Sequence, residues 1–268
     1  MKKISILGIG WLGENLAKTL LEGKNKVVGT VSSKARAEAL QKLGINAYCY
    51  QLGDKLNGKE EFLEADAFIL TLPPSAAKPH YVREIKTLLA VIKQKQPLAA
   101  IFYTSSTSVY GNQAVHVDES SPTNPQSDNA KSIREVEQYM LKNFRKAILL
   151  RLGGLVGPNR HPVHYLAGRE KLKQASAPVN LVHQNEVIKA ILFLLALEQR
   201  KLIYNLVCPE HPEKSSFYQK VAKNLKLSLP NFDANDKTDN KTVVPRLIQE
   251  DGYTFIYKSP YDFPESKE

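Results

Sequence analysis

A short apolar stretch, Ile4-Ser5-Ile6-Leu7, runs straight into Gly8-Ile9-Gly10-Trp11-Leu12-Gly13, after which apolar residues recur at helical spacing as Leu16, Ala17, Leu20 and Leu21. That order reads as strand, glycine turn, helix. In a Gly-x-Gly-x-x-Gly turn the first glycine permits the tight bend, the second lets backbone approach a pyrophosphate, and the third lets helix and strand pack closely. The helix start adds unsatisfied N–H groups and the positive end of its dipole. Gly8, Gly10, Trp11, Leu12 and Gly13 are therefore the expected cradle of a dinucleotide.

The next strand, residues 26–31, bears on which dinucleotide. About twenty residues past the glycines, an NAD site places a carboxylate that accepts from the ribose 2′-hydroxyl. Here Ser32, Ser33, Lys34 and Arg36 stand instead. Hydroxyls with a guanidinium suit a 2′-phosphate, so NADP is the expected cofactor and NAD the second choice, with Ser32, Ser33 and Arg36 as contacts. A helix over 35–43 ends at Gly44, and 47–50 is the third strand. The stretch 66–72, apolar without a break from Ala67 to Leu70, suits a strand covered on both faces and stops at Pro73-Pro74. Leu72 and Pro73, at its end, should border the cofactor. A helix over 79–95, with Tyr81, Ile85, Leu88, Leu89 and Ile92 on one face, leads into a fifth strand at 99–103.

This alternation predicts an α/β fold: a doubly wound parallel sheet of the Rossmann type, helices on both faces, with a small C-terminal substrate part. The expected division is a dinucleotide-binding domain over 1–155 and a substrate-covering part over 156–268, in which the segment around 179–207 returns to the main sheet.

The fifth strand runs into Thr104-Ser105-Ser106-Thr107-Ser108-Val109-Tyr110-Gly111. This segment resembles the extended and atypical short-chain dehydrogenase/reductases, the group of NAD-dependent epimerases and dehydratases, in which a hydroxyl of the Ser/Thr run hydrogen-bonds the reacting substrate oxygen. By register from Val109-Tyr110-Gly111, Ser106 takes that place. Residues 150–158 resemble the same family's sixth strand and turn. Asn180-Leu181-Val182-His183-Gln184-Asn185-Glu186 resembles its Asn-x-x-His-x-x-Asp segment with Glu186 in the acidic place, and 203–207 resembles a late strand.

One feature of the resemblance is missing. The family's Tyr-x-x-x-Lys pair, in which the lysine lowers the phenol's pKa for acid/base work, falls on Asn129 and Ile133 in the register anchored on 125–127 and 136–138. A slid register that uses Lys131 places Ser127 opposite the tyrosine. Neither Asn nor Ser is a phenol-like acid. Ser106, Tyr110 and Lys131 are thus the catalytic candidates, with His161, His164 and Tyr165 as further proton donors. The resemblance implies an NADP(H)-dependent oxidoreductase acting on a small carbonyl or hydroxyl compound. A non-catalytic NADPH-binding sensor and a sugar-nucleotide epimerase/dehydratase-like enzyme are the alternatives.

The formal charge is +10, yet the basic residues are spread along helix faces, so a solvated surface rather than nucleic-acid binding is expected. His161, His164, Arg169 and Lys171 make the C-terminal part basic and suit an anionic small-molecule substrate. No apolar run is long enough for a membrane span, and Ile4–Leu7 is too short for a signal-peptide core, so a cytoplasmic protein without membrane partners is expected. The two cysteines, Cys49 and Cys208, are expected to be reduced, and no metal-ligand spacing occurs. Beyond Gly157 the reading predicts a short helix around 166–174, a helix over 217–225, an exposed loop over 233–241, a closing strand at 253–257 and a fraying end from Pro264, and residues 242–248 resemble the family's last helix.

Overall fold

The computed structural model describes residues 1–264 except 57, 113, 114, 234, 237 and 239. The expected fraying end falls almost entirely outside them. In chain order the elements are β1 (Lys3–Leu7), α1 (Trp11–Glu22), β2 (Lys26–Val31), α2 (Lys34–Lys42), β3 (Asn46–Cys49), α3 (Glu60–Leu63), β4 (Ala67–Leu70), α4 (Tyr81–Lys95), β5 (Ala100–Ser106) and β6 (His116–Val117). There follow α5 (Asp128–Asn143), β7 (Ala147–Leu152), β8 (Gly154–Val156), α6 (Val163–Leu166), β9 (Leu181–His183), α7 (Gln184–Ala196), β10 (Ile203–Leu206), α8 (Lys214–Asn224), β11 (Thr242–Val243) and α9 (Arg246–Glu250).

Seven strands form the doubly wound parallel sheet in the order β10-β7-β5-β4-β1-β2-β3. The order reverses at β1, whose neighbours are β2 and β4. A crevice outside the carboxyl ends of β1 and β4 is where such sheets take ligands. β4 is buried along its whole length, as its unbroken apolar run requires.

Two compact units alternate along the chain. The first comprises residues 1–106, 127–150 and 198–203, and the second 107–126, 151–197 and 204–268. In the first, Ile4, Ile6, Phe68 and Ile69 of the sheet are buried, as are Ile85, Leu88, Leu89 and Ile92 of α4. In the second, Val156, Val163, Val179, Leu181, Phe217, Tyr218 and Ala222 make one apolar cluster. β8 and β9 pair with each other in parallel, outside the main sheet, and β10 is the strand of this region that joins it.

Three elements of the C-terminal third differ from expectation. Residues 167–174 are not helical: Gly168, Lys171 and Gln174 have φ of 69°, 54° and 64°, left-handed backbone that an α-helix does not admit. Residues 242–248 are not one helix either. Thr242 and Val243 pair with His116 and Val117, and Pro245, which forces its predecessor to be extended, separates that strand from α9. The aromatic segment 253–257 forms no strand, because the N–H groups of Ile256 and Tyr257 donate to the Glu186 carboxylate instead of to a neighbouring ladder. Lys241, expected in an exposed loop, is only 7% exposed. No helix among the described residues is long and apolar enough to cross a membrane.

Candidate functional site

The glycine turn has the geometry its sequence requires. Gly8 has φ +95°, and a Cβ there would lie 2.5 Å from Leu72 Cδ2. A Cβ at Gly13 would lie 2.5 Å from the Gly8 carbonyl oxygen, so the first turn of α1 and the end of β1 touch backbone to backbone. A Cβ at Gly10 would meet nothing within 4 Å, which leaves open space beside the turn. Gly10 is the N-cap of α1 and has no side chain with which to cap it. The first-turn N–H groups, those of Trp11, Leu12 and Gly13, thus stand at the positive end of a twelve-residue helix.

Neighbouring strands hold this turn in place. Thr30 Oγ1 accepts from the Gly8 N–H at 3.0 Å, and the Thr71 hydroxyl donates to the Gly8 carbonyl at 2.7 Å. Leu72 is half-buried and Pro73 exposed at the end of β4, and the Tyr81 hydroxyl ties down the Leu72 carbonyl at 3.0 Å. The cradle residues named from the sequence are therefore brought together at the switch point of the sheet.

At the end of β2, Ser32, Ser33 and Arg36 are exposed. Ser33 is the N-cap of α2, its hydroxyl oxygen accepting from the Arg36 N–H at 3.3 Å. The Arg36 guanidinium pairs with Glu14 on α1, which also binds Lys18 at 2.7 Å. Hydrogen bonding from Lys18, assisted by the charge of Arg36, holds the Glu14 carboxyl below its ordinary value.

The catalytic candidates stand in different settings. Ser106 ends β5 and is half-buried, whereas Ser105 beside it is buried and donates to Glu137 of α5 at 2.6 Å. Strand alternation puts these two hydroxyls on opposite faces. Lys131 is exposed in the first turn of α5, 4.0 Å from the Asp128 carboxylate. Ser127 caps α5 by accepting from the Ala130 N–H, Asn129 is exposed, and Ile133 is buried, so no phenol and no ammonium occupies the Tyr-x-x-x-Lys places.

Tyr110, in the second unit, is 3% exposed. Its hydroxyl donates to Asn205 Oδ1 at 2.8 Å and accepts from Arg151 at 2.9 Å, and the guanidinium carbon of Arg151 lies 4.8 Å from its ring centroid. Burial raises the pKa of this phenol, with the charge of Arg151 acting in the opposite sense. No local sequence signal marks this network, because Arg151 sits inside an apolar strand with nothing nearby to point to its partners.

His161 also departs from expectation. Its ring packs on Phe217 and Tyr218, its Nδ1 accepts from the Val163 N–H at 3.1 Å, and burial pushes its pKa down to about 4. It is therefore a neutral packing residue at neutral pH and adds no charge to the C-terminal part. His164 and Tyr165 are exposed on α6. Glu186 is fully buried and accepts from the Tyr253 hydroxyl and from the N–H groups of Ile256 and Tyr257, which fastens the C-terminal aromatic segment.

A glycine turn at the switch point followed by a Ser-ended fifth strand defines a dinucleotide-fold protein of the short-chain dehydrogenase type. The sequence matches the model of the NAD dependent epimerase/dehydratase family over residues 4–206, and the chain belongs to that family. Protein YeeZ of Escherichia coli strain K12 is 32% identical across 98% of this chain and 99% of its own. Among solved structures, a functionally unknown conserved protein from Silicibacter pomeroyi superposes with a TM-score of 0.78 at 21% identity, covering 97% of this chain and 95% of that one. UDP-glucuronic acid 4-epimerase from Bacillus cereus, solved in complex with NAD, superposes with a TM-score of 0.76 at 18% identity, over 96% and 93%. At these identities the two structures speak for the fold.

Proposed function

We propose that this chain is an NADP(H)-dependent oxidoreductase acting on a small carbonyl or hydroxyl compound. The observation that carries the reading is the cradle: Gly8 and Gly13 in backbone contact, open space at Gly10, and an α1 N-terminus without a side-chain cap. Those features fit a pyrophosphate. Ser32, Ser33 and Arg36, with no acidic residue among 32–36, favour the 2′-phosphate, which takes over the guanidinium now paired with Glu14. The bound nicotinamide supplies the hydride.

Ser106 is the residue proposed to donate a hydrogen bond to the substrate oxygen. Lys131, exposed two residues past Asn129, is the proposed proton source, and Tyr110 is assigned to holding Arg151 and Asn205. The one tryptophan of the sequence, Trp11, opens α1 within the cradle, so its fluorescence reports directly on occupancy. Titration should show saturable quenching by NADPH and weaker quenching by NADH, with NADPH oxidised in the presence of at least one member of a panel of small ketones and aldehydes.

The residues at the Tyr-x-x-x-Lys places support a second reading, a nucleotide-binding sensor without turnover. Saturable NADPH binding with no oxidation across the panel would establish that reading in place of the first.

A further inference from the structure

The second unit contains a cleft of about 210 Å³ that no part of the dinucleotide reading uses. Four segments far apart in sequence line it: Thr107, Gln174 with residues 177–181, Lys214 with Tyr218 on α8, and Asn240 with Lys241. Two lysines line this small space, and among the described residues none of those lining it is acidic.

Among the described residues, the hydrogen-bond partners of these lysines are neutral. Lys241 donates to the carbonyl of Gly111, and Lys214 makes only long contacts, 3.4 Å to the Lys173 carbonyl and 3.5 Å to Gln174 Oε1. Among the described residues, Asp236 is a carboxylate whose charge reaches Lys214, but its oxygens already accept from the Gln174 N–H and from the Thr238 N–H and hydroxyl. An ammonium has three donors, more than the one bond made by Lys241 employs. Burying a cation is costly unless it is paired, so two lysines around one cleft make a place where an anion is stabilised.

The position of Lys241 is fixed from behind. Asn180 donates to the Lys241 carbonyl at 2.8 Å and accepts from the Val243 N–H at 2.9 Å, so both ends of its amide brace the strand that begins just after the lysine. Pockets for drug-sized ligands run to roughly 300–1,000 Å³. This one is smaller and suits a compact molecule or a single charged group. Thr107 in its wall directly follows Ser106 in the chain.

We infer that this cleft binds the carboxylate or phosphate group of a small anionic ligand through Lys214 and Lys241. Calling that ligand the carbonyl substrate rests on the oxidoreductase reading above; the anion site itself does not. Calorimetric titration with inorganic phosphate and, separately, with malonate tells the two oxyanions apart. At least one should saturate the native protein. Lys214→Met should weaken it about tenfold or more, the loss expected when a charge-assisted hydrogen bond is removed, while Lys214→Arg retains most of it.

Lys241→Met also removes the bond to Gly111 and can unfold the strand, so Lys214→Met decides the matter. Trp11 quenching by NADPH, measured on the same variants, should be unchanged. Failure of both anions to saturate the native protein, or equal affinity in Lys214→Met, overturns the inference. Anion binding by a protein that ignores NADPH would overturn the cofactor reading and leave this one standing.

Discussion

On the functions proposed above, the cradle at the end of β1 and the cleft of the second unit solve the same problem, holding a negative group, by opposite means. The cradle uses backbone: glycines remove side chains so that N–H groups and a helix dipole do the work, with little formal charge involved. The cleft uses two desolvated ammonium groups gathered from distant segments. A backbone site depends on shape and tolerates no added atoms, whereas a lysine site depends on charge and on pH.

The largest expected effect tests the shape-dependent side. Gly13→Val places branched carbon against the Gly8 carbonyl, where even a Cβ would lie 2.5 Å away. It should cost about 1–3 kcal/mol in chemical denaturation, as overpacking does, and abolish NADPH quenching of Trp11. Full stability with normal binding would show that the turn is not close-packed in solution. Next in size, Arg36→Glu should weaken NADPH by roughly tenfold or more, with a much smaller change for NADH, because it replaces a phosphate partner by a repelling carboxylate. Equal loss of both nucleotides would locate the 2′-phosphate elsewhere.

Tyr110→Phe sharpens the contrast from the second unit. It leaves Arg151 without one acceptor and Asn205 without one donor, so it should destabilise the fold by about 1–2 kcal/mol. Any turnover should fall no further than the folded fraction does. A loss of kcat in fully folded protein would return Tyr110 to the catalytic candidates.

The smallest effect is electrostatic. Burial lowers the pKa of Lys214, against the opposing charge of Asp236, and burial likewise lowers that of Lys241. A lysine whose folded pKa lies below its unfolded value binds fewer protons when folded, so its contribution to stability rises as pH climbs through the interval between the two. The native protein should therefore gain stability relative to Lys214→Met as pH approaches the ordinary lysine range. Anion affinity should fall over the same interval, because the ammonium form is the one that binds. A flat difference between the two proteins would mean that Lys214 is fully solvated.

The same contrast explains what the sequence revealed. Gly8, Gly10, Gly13 and the run from Ala67 to Leu70 are local signals: a bend, a close approach or a strand buried on both faces is dictated by residues a few places apart. The sheet followed from them, together with the missing carboxylate after β2. The cleft was not legible, since Lys214 and Lys241 look like any surface lysine until the fold brings residues 107, 180 and 241 together. Residues 242–248 misled for a related reason. Their likeness to the family's last helix says nothing of the pairing with His116 and Val117 or of Pro245, which together divide the segment into β11 and α9. Asn129, Lys131 and Ile133 were located only by the family register, and they lie on α5, which Ser127 caps.

The pair between Arg36 and Glu14 has one further consequence. On the proposed reading, the guanidinium already holds a carboxylate in the position a phosphate will claim, so taking up NADPH is an exchange of one anion for another. Such an exchange makes selectivity adjustable without touching any group that meets the nucleotide. Glu14→Gln should tighten NADPH while leaving NADH almost unaltered, and added salt, which loosens the pair and screens the phosphate alike, should erode the difference between the two nucleotides.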